Sequence, residues 1–113
     1  MAVIVASGSA VSTAANTKSA EFVTGQYQHV SKGVFTLIAK ASATGLNITC
    51  TIGGVSLADD TSIPYTGTAG TLDASANIIA SQILPGGRCQ LNVRNTTGGA
   101  ITVDYILYWD ALG

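Results

Sequence analysis

Leu46, Ile48, Cys50 and Ile52 alternate with Asn47, Thr49 and Thr51. This period of two predicts a strand with one buried and one polar face. The same pattern returns in Arg88–Arg94, where Cys89, Leu91 and Val93 alternate with Arg88, Gln90, Asn92 and Arg94. The last run, Ala100–Trp109, sets Ile101, Val103, Tyr105, Leu107 and Trp109 on one face. Ile106 and Tyr108 lie on the other, beside Thr102, Asp104 and Asp110, so that face is partly apolar as well. Val34–Ser42 starts apolar on both faces, which predicts burial on both sides. Phe22–Val30 reads as a further strand, and Val55–Leu57 begins another that Asp59-Asp60 closes.

Glycine punctuates these runs. Thr44-Gly45 is short enough for a tight hairpin, Gly53-Gly54 and Pro85-Gly86-Gly87 read as turns, and Asn95–Gly99 reads as a hairpin loop. Thr61–Ala80 is broken by Pro64, Gly67 and Gly70 and reads as a crossing segment, with one strand or helical turn near Asn77–Ser81. No window carries a helical period, and no internal repeat is found. About six to eight short strands with Gly-rich turns predict an all-β fold, a single antiparallel β-sandwich of jelly-roll-like form.

Met1–Ala20 differs from the rest. It is rich in Ala, Ser and Thr, lacks aromatic residues and carries one charge, Lys18. Side chains this small bury little, so residues 1–20 are expected to be an extended N-terminal arm, with a short strand at Val3–Val5, ahead of a sandwich domain over 21–113. Such an arm packs on a neighbouring subunit or stays loose as a terminus; the residues leave both open.

Composition changes the picture. At 113 residues the chain is one domain. Only 10% of residues are charged, against about 25% in ordinary soluble domains. Hydrophobic residues make up 47% and mean hydropathy is +0.41, yet no stretch has the length of a membrane helix. A surface this poor in charge is expected to be covered largely by other copies of the chain or by a partner. Lys18, Lys32, Lys40, Arg88 and Arg94 are scattered and the net charge is -1, so direct nucleic-acid binding is not expected. Ala2–Ala6 is a short apolar run with no basic residue before it. A signal peptide is therefore not indicated, and synthesis in the cytoplasm without membrane association is expected.

No constellation points to chemistry. His29 is the lone histidine and has no nucleophile motif beside it, so a structural or surface role is expected and no catalytic residue is assigned. Asp59-Asp60 lacks the spacing of a calcium loop and reads as turn capping; no metal and no cofactor is expected. Asn47-Ile48-Thr49 and Asn95-Thr96-Thr97 match the glycosylation sequon by composition alone. Cys50 and Cys89 fall on apolar faces and are expected as reduced core residues or, alternatively, as a disulfide between facing strands. Tyr27, Tyr65, Tyr105, Tyr108 and Trp109 are the aromatics considered for stacking on a sugar. Tyr105 and Trp109 share the face expected to be core.

The stretches TGQYQHVSKGVFTLIAKASATGLNITCTIGGVSLADD and LPGGRCQLNVRNTTGGAITVDYILYW resemble small virion proteins of tailed and other bacteriophages. In these a "SATGLN" turn leads to a "GGV…DD" turn, and "LPG" introduces a strand that ends "RNTTGGA". The resemblance spans Thr24–Asp60 and Leu84–Trp109. It implies a non-enzymatic β-sandwich that forms, decorates or cements an icosahedral capsid through contacts with copies of itself, trimeric or larger, and with other capsid proteins. The location implied is the virion. On that reading Val3, Ile4 and Val5 in the arm, with Ile106 and Tyr108 on the second face of the last strand, are the expected subunit-interface residues. The alternative is a carbohydrate-binding or adhesion module of a phage tail or fibre, presenting Tyr108 or Tyr65.

Overall fold

A computed structural model describes residues 2–24, 27–63 and 78–111. Eight strands run in the order β1 (Ala2–Thr13), β2 (His29–Val30), β3 (Gly33–Ala41), β4 (Leu46–Ile52), β5 (Val55–Ser62), β6 (Ile78–Leu84), β7 (Gly87–Asn95) and β8 (Ile101–Ala111). They form two four-stranded sheets, ordered β1-β8-β3-β6 and β2-β7-β4-β5. Every pairing is antiparallel. This is the strand order of a jelly roll, in which the chain changes sheet at almost every connection.

The two-residue period determines which face is buried. β4 alternates strictly between buried and half-buried positions. Across it on β7, Cys89, Leu91 and Val93 oppose Ile52, Cys50 and Ile48. From the other sheet Phe35, Leu37, Ala39, Val103, Tyr105 and Leu107 close the core. Within it Phe22 stacks on Tyr105, ring centroids 4.5 Å apart and planes 5° from parallel.

Two expectations about connections need correction. Thr44-Gly45 is not a hairpin, because β3 pairs with β6 and β8 while β4 pairs with β5 and β7. Asn95–Gly99 likewise carries the chain from one sheet to the other. The two crossings brace each other, since the Gly45 carbonyl accepts from both the backbone N–H and the hydroxyl of Thr96. Gly53-Gly54 is the true hairpin, joining β4 to β5. There Gly53, at φ +61°, packs against the backbone of Gly86 and Gly87.

The expected arm is also revised. Residues 2–13 are β1, an edge strand registered along β8 from Ala2↔Asp110 to Thr13↔Ile101, with bulges after Ile4 and Gly8. Small side chains conceal this from a hydropathy reading, yet the ladder of backbone hydrogen bonds needs no large residue. Residues 14–22 continue against β7, where the N–H groups of Ser19 and Phe22 donate to the carbonyls of Val93 and Leu91.

Of the expected strand over Phe22–Val30, the described residues form a strand at His29–Val30 alone. A side chain takes the place of the missing ladder: the Glu21 carboxylate accepts from the N–H of Leu91 at 2.6 Å and from that of Val23 at 3.0 Å. β5 runs past Asp59-Asp60 to Ser62, through an irregular register in which Asp60 has φ +47°. Of the segment 61–80, β6 begins at Ile78, whereas Pro64, Tyr65, Gly67, Gly70 and Asn77 lie outside the described residues.

Candidate assembly surface

The outward faces of the two sheets differ in chemistry. On β7, β4 and β5 the outward positions are polar. Thr51 donates to Gln90 at 3.3 Å, and the Asp60 N–H donates to the Thr49 hydroxyl at 3.0 Å. Arg94 grips Asp60 in bidentate fashion, Nε to Oδ1 at 3.2 Å and Nη2 to Oδ2 at 2.5 Å. Hydrogen bonding from Arg94 holds the Asp60 carboxyl below its ordinary range and raises the guanidinium in turn. Asp60 is thus committed to a surface ion pair. Among the described residues no cluster of His, Cys, Asp or Glu is arranged to hold a metal.

The outward face of β1-β8-β3-β6 mixes exposed isoleucines with polar side chains, the exposed Asp110 standing between Ala2 and Val34. The register places Ile4 beside Tyr108, Tyr108 beside Thr36, and Thr36 beside Ser81. The flanking rows carry Val34 with Ile83, and Ile106 with Ile38 and Ile78. Ile4, Ile78 and Ile83 are 49%, 48% and 62% exposed. Ile38, Lys40 and Asp104, further along this face, are buried. Scattered single apolar side chains are ordinary on a protein surface, and this sheet gathers three strongly exposed isoleucines on one face.

Three of the expected interface residues, Ile4, Ile106 and Tyr108, therefore meet on one surface. The other two do not join them. Val5 sits in the core at the first bulge of β1, and Val3 is half-buried opposite Trp109, on the core side of β8. Val34, Ile78 and Ile83 were not anticipated. Their signal is the adjacent apolar pairs Ile78-Ile79 and Ile83-Leu84, which give one side chain to each face of β6. Ile79 and Leu84 pack on the core and leave Ile78 and Ile83 outside.

The remaining candidates have structural positions. His29 is exposed on the short β2 opposite Arg88. Asn95 is 1% exposed, and its amide donates to the carbonyls of Thr13 (3.1 Å) and Gly99 (2.8 Å). That nitrogen is the atom a glycan would occupy, so this sequon is unavailable in the folded chain. Trp109 donates from Nε1 to the Ser31 carbonyl at 3.1 Å and lies beside Tyr27, rings 6.2 Å apart. Tyr105 is a core residue. Of the considered aromatics, Tyr108 alone among those described lies on the outward face of its sheet.

Cys50 and Cys89 are both buried free thiols. They sit diagonally on neighbouring strands, Cys50 opposite Leu91 and Cys89 opposite Ile52. Burial pushes Cys50 up to about 12 and Cys89 up to about 11, with Glu21 adding to both and Cys89 adding to Cys50. The thiolate is the reactive form, so neither thiol is expected to react with a thiol-specific disulfide reagent at pH 8 until urea unfolds the chain. Rapid modification of the native chain would contradict this. The pH dependence has a defined sign. These thiols ionise near 9.0 when exposed and higher when folded. Their contribution to stability is thus complete below pH 9 and is lost as pH rises toward 11–12.

Comparison with protein-family models gave no match, and comparison with curated proteins gave none either. Among solved structures the chain is similar to the CBM36-1 domain of a multidomain xylanase from the hindgut metagenome of Trinervitermes trinervoides. The TM-score is 0.40 and the identity 13%, over 100% of this chain and 98% of that one. The fold assignment rests on the strand order itself.

Proposed function

We propose that this chain is a structural subunit of a bacteriophage virion, a non-enzymatic jelly roll that forms or decorates the capsid by contacts with copies of itself. The observation that carries the proposal is the gathering of the exposed Ile4, Ile78 and Ile83 on the outward face of β1-β8-β3-β6, on a chain with only 10% charged residues. Obligate subunit interfaces are the more apolar class, and their cores are depleted of charge. The opposite face, with its Thr, Asn, Gln and Arg side chains, keeps the second sheet compatible with water or with a polar neighbour. The resemblance of the strand and turn sequences to small phage virion proteins points the same way.

Negative-stain electron microscopy of the purified chain tests the proposal. Closed shells indicate a coat protein. Discrete small rings, trimers included, indicate a decorating or cementing subunit that needs a preformed lattice. Dispersed monomers at high concentration contradict it. Those monomers would direct attention to the carbohydrate-binding alternative, for which glycan-array binding abolished by Tyr108→Ala is the expected signature.

A further inference from the structure

We infer that β1 is an exchangeable strand: in the assembled protein, residues 2–13 of one copy pair along β8 of another. The inference rests on the assembly reading above and adds to it how the copies are joined.

The structure itself fixes what fills the edge of β8, pairing it with β1 from Ala2↔Asp110 to Thr13↔Ile101. Only the copy that donates the strand is at issue. A strand is readily lent when little besides its backbone holds it in place. Ala2–Thr13 contains no charged residue, no aromatic residue and no proline. It gives Val5 and Ala6 to the core, with Val11 packed against it. Bulges after Ile4 and Gly8 interrupt its register. Strands with little contrast between their faces, or bearing glycine, are those whose pairing is least specified and most open to swapping. The ladder of backbone hydrogen bonds along β8 is the same whichever copy supplies it.

The chain after β1 is held on its own. The Asn95 N–H donates to the Thr17 carbonyl at 2.8 Å, and the Ser19 N–H to the Val93 carbonyl at 2.8 Å. The Ser19 hydroxyl accepts from the Val93 N–H at 3.0 Å, and the Glu21 carboxylate from the Leu91 N–H at 2.6 Å. Residues 17–22 therefore stay on β7 of their own copy when β1 leaves, and residues 13–16 become the hinge.

That hinge carries two local costs in the closed form. Asn16 has φ +53°, in the left-handed region. Thr13 is 3% exposed, and its hydroxyl finds no hydrogen-bond partner among the described residues, which is unfavourable for a buried polar group. Straightening residues 13–16 relieves Asn16 and opens the Thr13 hydroxyl to water, while every pair between β1 and β8 is remade in the exchanged form. Closed and exchanged forms then differ at the hinge and in their dependence on concentration. Under that condition strand exchange is a low-cost route to oligomers.

The test is the double variant Ser12→Cys/Thr102→Cys in the full chain. These positions are register partners on β1 and β8, away from the buried Cys50 and Cys89. The protein is concentrated, followed by light scattering, oxidised with oxidised glutathione and run denatured without reductant. Exchange expects most of the oxidised chain from the assembled fraction to migrate as covalent dimers or longer linked species. Internally bridged single chains from assembled material overturn the exchange and leave self-assembly standing. Internally bridged chains from material that scatters as monomer overturn both readings. Asn16→Gly and Asn16→Pro give a second readout that needs no bridge. Glycine accepts the closed turn freely and is expected to lower the oligomer fraction. Proline sets φ at about −65° and removes the N–H that donates to the Thr97 carbonyl, so it is expected to raise that fraction. Equal oligomer fractions for the two variants overturn the exchange.

Discussion

Asn95→Ala is expected to lower the unfolding free energy by about 2 kcal/mol, since it removes four hydrogen bonds made by one buried side chain. Asn95 closes β7 and is almost wholly buried. Its amide nitrogen donates to Thr13 at the end of β1 and to Gly99 in the crossing loop. Its amide oxygen accepts from the N–H of Thr97 at 2.9 Å and from the Thr97 hydroxyl at 2.8 Å. Thr97 in turn accepts at its carbonyl from the N–H of Asn16. One side chain therefore ties the end of β1, the segment after it and the crossing to β8. Alanine removes all four bonds; the Gly99 carbonyl keeps the Thr97 hydroxyl at 3.0 Å, while the Thr13 carbonyl and the Thr97 N–H lose the amide as a partner. Urea unfolding followed by fluorescence of Trp109 reads the change as a lower midpoint with an unchanged slope. A shift below about 0.5 kcal/mol would mean that water replaces the amide without cost, and that the network is peripheral.

Gly53→Ala is expected to be at least as damaging. Gly53 has φ +61°, a region that L residues rarely occupy, and its N–H donates to the Arg88 carbonyl at 2.9 Å. An added Cβ would run into the Gly86 carbonyl oxygen. Gly86 cannot give way easily: at φ +92° it lies against the backbone of Val30, Ser31 and Lys32. Backbone strain of roughly 1–3 kcal/mol and a similar term for overpacking together approach the whole stability of a small domain. The expected outcome is an insoluble or largely unfolded product. Gly54→Ala next to it has open space around its Cβ and carries only the penalty of φ +84°. Equal thermal stability of the two variants would show that the turns do not pack as described.

These two sites also show what could be read from the chain. Alternation in 46–52, 88–94 and 101–109 identified the inward residues of β4, β7 and β8, because each has one wet face and one dry face. Glycines 53, 54, 86 and 87 marked turns, because positive φ is a local requirement. Pairing was not legible. Short turns at 44–45 and 95–99 suggested hairpins, yet here they carry the chain between sheets, and loop length alone does not distinguish the two. Of β1 only Val3–Val5 was legible, because the Ala, Ser, Thr and Gly that follow have little hydropathic contrast, although its backbone pairs along most of β8. No sequence pattern sets Glu21 apart, and only the three-dimensional arrangement shows its carboxylate accepting from the Leu91 N–H.

The patch proposed for assembly drew only partly on the sequence pattern. Ile106 and Tyr108 broke the polar side of the last strand, which flagged that side. Ile4 and Val5 both came from the arm reading, but neighbouring residues of a strand face opposite sides, so Ile4 points outward and Val5 into the core. Ile78 and Ile83 come from a stretch with no clean period, so only the pairing of β6 with β3 brings them to the patch.

The most direct measurement is the mass of the native chain by light scattering over a concentration series, beside the double variant Ile4→Lys/Ile83→Lys. Both substituted positions are exposed and lie outside the core cluster, so the fold is expected to survive, with unchanged circular dichroism as the check. An assembly-forming face predicts oligomers or larger particles for the native chain and a shift to monomer for the variant. A native chain that stays monomeric, or a folded variant that assembles as the native chain does, would contradict the assignment of this surface.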